Sequence, residues 1–377
     1  MDSFCFAIHT SHFCANLFRP KMEHAYLKFC FFLLLAIFLP TRVFGEPKAP
    51  CFFIFGDSVV DNGNNNYRET TAKVNYLPYG VDFPTGPTGR FSNGRNVADF
   101  IAELLGFDKY IPPYANGTTQ DILQGVNYGS GGAGILDETG RQKYGDVISL
   151  NEQLSNHEAT ISRVTNLLGS KAAAKQHLSK CIYFVGMGNN DYLAYYLPQF
   201  HTSTTPYNPQ QFAALLIFRY STQLRRLYDN GARKIAVSGV GKLGCLPHEI
   251  ATYGNSDAPA CVETSNDVVR IFNEFLELLL KDLNNQLTDA KFVLARDSSS
   301  TTSYGNITVL SDTCCQVSTD VVSGGHCVQG TTPCSNRDEY MFWDGFHPTE
   351  AANLISAKIV YNDMSPLYAD NNVIAIM

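Results

Sequence analysis

Residues 51–58 of the chain read Cys-Phe-Phe-Ile-Phe-Gly-Asp-Ser. The apolar and aromatic run up to Phe55 is typical of a buried strand, and Gly56 interrupts it. Open parallel sheets bind ligands in crevices at the carboxyl ends of their strands. Ser58 is therefore predicted to lie at the mouth of such a crevice.

Apolar runs and helical patterns alternate along the rest of the chain. Helices are predicted from Asn96 onward, over 210–228 and over 268–287. Strands are predicted at 51–55, 125–128, 182–186, 234–238 and 291–294. This alternation favours parallel pairing with right-handed crossovers. The predicted fold class is α/β, as a three-layer α/β/α sandwich with a central parallel sheet, flavodoxin-like in form, in a single domain over residues 46–377.

The second informative stretch is Asp344-Gly345-Phe346-His347-Pro348. A carboxylate and an imidazole three residues apart can meet, so Asp344 could orient one ring nitrogen of His347 while the other faces a hydroxyl. Taken singly, Ser58 could be a turn residue, His347 a helix-start residue and Asp344 a solvated loop acid. Together they supply a nucleophile, a base and an orienting carboxylate.

Two further segments could supply hydrogen-bond donors for an oxyanion. Residues 127–134 read Asn-Tyr-Gly-Ser-Gly-Gly-Ala-Gly, and residues 186–191 read Gly-Met-Gly-Asn-Asn-Asp. Glycines allow backbone N–H groups to approach a substrate closely, and an asparagine amide adds a side-chain donor. Both segments follow predicted strands, which places them at the same edge of the sheet as Ser58.

These four blocks, in this order, resemble those of the plant GDSL esterase/lipases of the SGNH hydrolase superfamily. The resemblance extends from Ala49 to the C-terminus and implies an SGNH hydrolase fold. It also implies that Ser58 is the nucleophile of a catalytic triad, which Asp344 and His347 complete.

The resemblance further implies an oxyanion hole. Its donors would be the backbone N–H of Ser58, the side chain of Asn190 and a backbone N–H of Gly131 or Gly132. The local spacing does not separate the two glycines.

The chain departs from the family pattern at two positions. Val59 stands where the family's name motif has leucine, and Gly129 stands where alanine is common; neither supplies a catalytic atom. The rival α/β-hydrolase architecture requires Gly-x-Ser-x-Gly, and no serine in this sequence has glycines two residues away on both sides.

Residues 1–45 are interpreted as a leader with a secretory signal peptide. Eleven consecutive apolar residues, 29–39, follow two lysines and end before Pro40. The run is shorter than the roughly 20 apolar residues that span a bilayer, so no stable membrane anchor is expected. Met22 would be a more natural start, which makes residues 1–21 a candidate upstream extension. The predicted location is extracellular, in the apoplast or cell wall.

Charge and composition limit the partners. The net charge of −7 is mild and its charges are scattered without a basic run, so nucleic acid is not an expected partner. No cofactor and no metal are expected. Sequons at Asn116 and Asn306 predict N-glycosylation in a secreted chain.

Three of the eleven cysteines lie in the leader, which leaves eight in the predicted mature chain. An even number in a secreted chain permits disulfides. Cys245 is expected to pair with Cys261. Further pairing is expected within a late cluster that consists of Cys314, Cys315, Cys327 and Cys334. A zinc site is the less favoured alternative for this cluster. Cys51 and Cys181 open apolar strands and are expected to be buried free thiols.

Several other polar residues receive structural interpretations. Asp57 and Asp191 are expected to order their loops, and residues 62–66 to rigidify the loop after the nucleophile. Trp343 either lines an acyl pocket or packs beneath the loop that carries His347. Five histidines without a carboxylate close in sequence are interpreted as surface or core residues: His157, His177, His201, His248 and His326.

The predicted function is a secreted serine esterase or lipase that hydrolyses carboxylic esters through an acyl-enzyme on Ser58. An extracellular acyltransferase, which passes the acyl group to an alcohol or sugar hydroxyl, and a non-catalytic binding protein remain alternatives. The ester substrate stays open among lipids, polyesters, acetylated glycans and phenolic esters.

Overall fold

The structure is a computed structural model that describes residues 46–117, 121–255, 261–296, 304–320 and 324–369. The leader predicted over residues 1–45, with its possible start at Met22, lies outside the described residues. The description below concerns the unit that begins at Pro47.

Four parallel strands form the central sheet in the spatial order β1-β2-β3-β4. They are β1 (Phe52–Gly56), β2 (Ile182–Gly186), β3 (Lys234–Ser238) and β4 (Lys291–Ala295). The strands pair in register from first to last residue, so their carboxyl ends finish at one edge. The segments that follow β1 and β2 therefore meet at this edge, as the sequence predicts.

The remaining predicted strand, 125–128, lies beside β1 but forms only one bridge to it, a parallel bridge between Ile54 and Asn127. The N–H of Ile54 donates to Val126 O at 3.0 Å, and the N–H of Tyr128 donates to Ile54 O at 2.8 Å. If residues 125–128 are counted as the second strand of the chain, the spatial order of the five strands is 2-1-3-4-5. This is the order of flavodoxin-like sheets.

Helices cover both faces of the sheet, which confirms the three-layer sandwich. Phe53 and Phe55 face one layer, while Phe52 and Ile54 face the other, because successive side chains of a strand point to opposite faces. The first layer contains Leu150–Leu168, Lys171–Leu178, Pro209–Asp229 and Glu263–Gln286. The second layer contains Val97–Leu104 and Glu350–Asp363.

The sequence pattern locates the long helices well. Pro209–Asp229 begins with a capping box in which the side chain of Asn208 accepts from the N–H of Gln211. It ends before Gly231, whose φ of 103° suits a glycine after a helix. Glu263–Gln286 starts five residues before the predicted 268–287, because the polar first turn lacks the apolar spacing on which that prediction depends.

Shorter elements connect these layers. A second, small parallel sheet pairs β5 (Val309–Thr313) with β6 (Tyr340–Phe342). The short helices are Arg141–Tyr144, Leu197–His201, Pro247–Tyr253 and Ser365–Tyr368, and Asp191–Tyr196 is a π-helical turn. The 3₁₀ turns are Asn64–Tyr67, Asp121–Leu123, Leu243–Cys245 and Arg337–Glu339. Within the described ranges, no helix is both long enough and apolar enough to cross a membrane.

Four disulfides join the eight cysteines outside the leader. The predicted Cys245–Cys261 pair is confirmed. The late cluster forms the disulfides Cys314–Cys334 and Cys315–Cys327. All four of its thiols are thereby used, so the zinc alternative for this cluster is wrong.

The prediction of free thiols at Cys51 and Cys181 is also wrong, because these two residues form a disulfide. Each directly precedes a strand, and β1 pairs with β2 so that Phe52 lies opposite Ile182. The parallel register therefore places the two cysteines side by side, with their Cα atoms 4.7 Å apart. Strand pairing, which cannot be read from either strand alone, decides the state of these thiols.

Candidate active site

The three predicted triad residues lie in one hydrogen-bonded row. Ser58 follows β1, and its Oγ lies 2.8 Å from Nε2 of His347. Nδ1 of His347 lies 2.9 Å from each carboxylate oxygen of Asp344. All three side chains are buried, with exposed fractions of 9% for Ser58, 5% for His347 and 0% for Asp344.

The turn between β6 and the helix Glu350–Asp363 fixes the carboxylate. Oδ1 of Asp344 accepts from the backbone N–H groups of Phe346 and His347, both at 2.8 Å. The helix that follows is capped by Thr349, whose Oγ1 accepts from the N–H of Ala352. The local fold of this turn therefore holds Asp344 and the ring of His347 in a fixed relation.

Electrostatics keep Asp344 ionised. Burial alone would raise its pKa, but the neighbouring His347, the hydrogen bond from that ring and the hydroxyl of Tyr79 outweigh burial and lower the pKa. An ionised Asp344 favours the imidazole tautomer with its proton on Nδ1. Nε2 is then free to accept the proton of Ser58, as a general base does.

Tyr79 is a site residue that sequence reasoning missed. Its hydroxyl donates to Oδ2 of Asp344 at 2.5 Å and accepts from the backbone N–H of Cys327 at 3.0 Å. Tyr79 is fully buried and comes from the long loop after the nucleophile. No local spacing could reveal the contact, because 265 residues separate Tyr79 from Asp344.

The two glycine candidates for the oxyanion hole differ in the structure. The N–H of Gly131 is used by Oδ2 of Asp61, at 2.9 Å. Gly132 lines the site cavity, and among the described residues neither its N–H nor that of Ser58 donates to a protein acceptor. Asn190 also lines the cavity, and its Nδ2 gives one N–H to Ala133 O at 3.0 Å and keeps a second.

Buried hydrogen bonds join the loop after Ser58, residues 59–66, to the glycine-rich loop, residues 127–134. Oδ1 of Asp61 accepts from the N–H groups of Gly63 and Asn64, while Oδ2 accepts from Gly131. Asn64 donates to backbone oxygens of the second loop, and so does Asn65. The expected rigidifying role of residues 62–66 is confirmed, and Asp61 adds to it. Burial raises the pKa of Asp61 to about 6.

The expected loop-ordering roles of Asp57 and Asp191 are also confirmed. Asp57 accepts from the N–H of Val59 at 3.0 Å and from Nδ2 of Asn189 at 2.9 Å. Asp191 accepts from two backbone N–H groups directly after the glycine-rich segment 127–134 and from a threonine hydroxyl. Burial raises the pKa of both carboxyl groups, that of Asp191 to about 6.

A cavity of about 390 Å³ opens beside Ser58 and extends across the carboxyl ends of β2 and β3. Much of its lining is apolar, with side chains that include Leu193, Leu243, Leu246, Leu310, Met341 and Val360. Trp343 is not among the lining residues. It is fully buried and packs with Cys314, Cys315 and Cys327, so the packing interpretation of Trp343 is confirmed.

The histidines interpreted as surface or core residues do not all fit that description. His157 is buried among aromatic rings, and burial lowers its pKa to about 3. His326 is also buried, but it lines the cavity, and its ring centre lies 6.0 Å from that of His347. The sequence does not predict that His326 lies in the site, because this depends on how the loop between β5 and β6 folds back over it.

A buried serine, imidazole and carboxylate in one row, at the carboxyl end of a strand in a flavodoxin-like sheet, define a serine hydrolase of the SGNH type. The model of one protein family, described as GDSL-like Lipase/Acylhydrolase, matches residues 52–360. The chain belongs to this family.

Similar proteins are found in Arabidopsis thaliana. The chain is 46% identical to GDSL esterase/lipase At1g29660 over 352 residues, which cover 90% of this chain and 95% of that protein. It is 48% identical to GDSL esterase/lipase At4g18970 over 320 residues, or 82% and 87% of the two chains. The chain is accordingly an ester-hydrolysing serine hydrolase, and its substrates are esters.

Proposed function

We propose that the protein is a secreted esterase or lipase that forms an acyl-enzyme on Ser58. The observation that carries the proposal is the row from Ser58 through His347 to Asp344, which is buried beside an apolar cavity. A binding protein would not need a serine hydroxyl aligned with an oriented imidazole.

In the first step, His347 takes the proton of Ser58 through Nε2 while Oγ attacks the ester carbonyl carbon. The oxyanion then receives hydrogen bonds from the N–H groups of Ser58 and Gly132 and from the remaining N–H of Asn190. Two facts support Gly132 over Gly131 here: its N–H has no other acceptor among the described residues, and it lines the cavity.

The tetrahedral intermediate collapses when His347 returns the proton to the leaving alcohol oxygen. The acyl group is then bonded to Oγ of Ser58. A water molecule repeats the sequence with His347 again as base, which releases the carboxylic acid and regenerates the free serine.

The cavity favours two of the open substrate classes, lipids and polyesters. Apolar side chains along a cavity of about 390 Å³ suit a hydrocarbon acyl chain better than an acetyl group. We therefore propose fatty acyl esters, either of lipids or of a cutin-like polyester, as substrates.

Secretion to the apoplast or cell wall is supported by the apolar run in the leader and by the four disulfides. The sequon residues Asn116 and Asn306 are both exposed, which suits glycosylation. Expression of the full chain in plant cells would test this, by N-terminal sequencing of the medium fraction. Asn116→Gln and Asn306→Gln should each remove one glycan from its mass.

The acyl-enzyme can be trapped during turnover. The secreted protein would be mixed with p-nitrophenyl octanoate, quenched in acid within the first turnovers and analysed by peptide mapping. We expect an octanoyl adduct on the Ser58 peptide, and no adduct in a folded Ser58→Ala variant. Turnover with the adduct on another residue would contradict the proposal. The same reaction with glycerol added would separate hydrolysis from acyl transfer, because transfer yields octanoylglycerol.

A further inference from the structure

His326 is a second imidazole in the site for which the acyl-transfer steps have no use. It lies in the late loop between β5 and β6, and only 7% of the residue is exposed. Its ring is nearly parallel to that of His347, with an interplanar angle of 22° and 6.0 Å between centroids.

The ring nitrogens of His326 have no hydrogen-bond partner among the described residues. Neither donates to nor accepts from another described residue, although the ring is buried and lines the cavity. Oγ of Ser265 pairs with His201, whereas His157 uses one ring nitrogen on the hydroxyl of Tyr128 and has its Nε2 enclosed without a partner. The unpaired nitrogens of His326 are open to the cavity rather than fully enclosed, so they are available to a polar group of a ligand that enters it.

Chemistry places the alcohol portion of the ester beside His347. Nε2 of His347 must return a proton to the leaving oxygen, so that oxygen lies within hydrogen-bond reach of the ring. Three aromatic rings of the described residues lie near His347: Phe91 at 4.8 Å, His326 at 6.0 Å and Phe346 at 6.1 Å. Of these, His326 alone carries nitrogen atoms.

We propose that His326 is a specificity-determining residue that hydrogen-bonds a hydroxyl group on the alcohol portion of the substrate. The enzyme would then prefer esters of polyols, such as glyceryl or glycosyl esters, to esters of simple alcohols. This inference rests on the proposed acyl transfer at Ser58.

The charge state of His326 fits a hydroxyl group. Burial lowers the pKa of His326 to about 4, against the opposing effect of the Asp344 carboxylate. A neutral imidazole offers one N–H donor and one acceptor nitrogen. A hydroxyl can use either nitrogen, whereas the neutral ring offers an anionic group one donor and no positive charge.

The test compares two esters with the same acyl chain, 1-octanoylglycerol and methyl octanoate. In His326→Phe, the ratio of their kcat/KM values should fall by about five- to tenfold, because one net hydrogen bond to the glyceryl hydroxyl is lost. His326→Gln, which keeps a donor and an acceptor, should retain most of the preference. The matched control is His248→Phe. The ring of His248 also packs on Phe346, with 4.5 Å between centroids, but His248 does not line the cavity. The ratio of the two kcat/KM values should therefore not change in this variant.

Fluorophosphonate labelling of Ser58 in each variant separates the proposed role of His326 from the proposed acyl transfer at Ser58. Normal labelling with equal losses on both esters, or with no loss on either, would overturn the role of His326 and leave the proposed function standing. A folded wild-type protein that is not labelled and cleaves neither ester would overturn the proposed function, and the role of His326 with it.

Discussion

Two regions of the molecule meet at the row of Ser58, His347 and Asp344, the proposed catalytic triad, and they are held in different ways. The nucleophile region, residues 57–66 and 127–134, extends directly from the central sheet. The acid–base region, residues 314–320 and 324–347, includes β6, one strand of a small two-stranded sheet. Buried Asp and Asn side chains bond the first region together, whereas two disulfides and the hydroxyl of Tyr79 hold the second.

The difference shows two routes to a fixed catalytic geometry. Where a strand already positions the chain, short polar side chains that satisfy backbone groups are sufficient. Where regular structure is sparse, covalent links replace it, because they limit the conformations of an otherwise loose loop. The Cys315–Cys327 link lies beside the triad: the N–H of Cys315 donates to Trp343 O at 3.0 Å and that of Cys327 to Tyr79 Oη at 3.0 Å.

The largest expected effect on kcat comes from replacing the proposed nucleophile of the first region or the proposed base of the second. Ser58→Ala and His347→Ala should each lower kcat by about 10⁴–10⁶-fold, because nucleophile and base act as a unit. The double variant should be no slower than the worse single variant. Steady-state kinetics with p-nitrophenyl octanoate would check this, with circular dichroism as the control for folding. Losses that multiply would show that the two regions contribute independently.

Within the oxyanion hole, Asn190→Ala should lower kcat by about 10²–10³-fold, because a side-chain donor to the oxyanion is lost. KM should change little, since the interaction forms in the transition state. A single-turnover measurement would isolate the acylation step. An unchanged kcat would remove Asn190 from the proposed hole.

Removal of one late disulfide tests how the acid–base region is held. Cys315→Ala with Cys327→Ala should lower the free energy of unfolding by about 2–4 kcal/mol and also reduce kcat of the folded protein. The control is Cys51→Ala with Cys181→Ala, a link distant from the late loop, which should cost stability but keep the kcat of the folded protein. Equal kcat in both double variants would mean that the late disulfide does not position the triad.

Tyr79→Phe removes one hydrogen bond to Asp344 and keeps the ring. We expect kcat to fall by about three- to tenfold, since hydrogen bonds to charged groups contribute about 1.5–3 kcal/mol and only part is felt in the reaction. The acid limb of the pH profile of kcat/KM should move to higher pH, because a less shielded carboxylate stabilises the protonated imidazole. A lower kcat with an unmoved acid limb would indicate a packing role alone.

The smallest expected effect concerns pH and stability. Burial raises the pKa of Asp191 to about 6, so its contribution to stability is largest when it is protonated and is lost as the pH rises through 6. The stability of wild type relative to Asp191→Asn should therefore fall by about 1 kcal/mol between pH 5 and pH 7. Urea unfolding at the two pH values would measure it. The pKa of Asp344 is lowered instead, so its contribution is present at both pH values.

The sequence predicts the features that depend on local patterns. Apolar runs locate four of the strands, and the three-residue spacing of Asp344 and His347 indicates a pair that does meet. Features that depend on contacts between distant segments cannot be predicted from local patterns. The Cys51–Cys181 disulfide follows from strand register, and the contact from Tyr79 to Asp344 follows from the docking of two loops. The choice between Gly131 and Gly132 likewise depends on which N–H Asp61 uses.

The proposed activation of Ser58 can be tested most directly by labelling the purified protein with a fluorophosphonate probe, followed by peptide mapping. We expect the label on Ser58 in the wild-type protein, and none in a folded His347→Ala variant, because the hydroxyl then lacks its base. A folded wild-type protein without label, or a label that persists without His347, would contradict an acyl-enzyme mechanism that depends on this row of side chains.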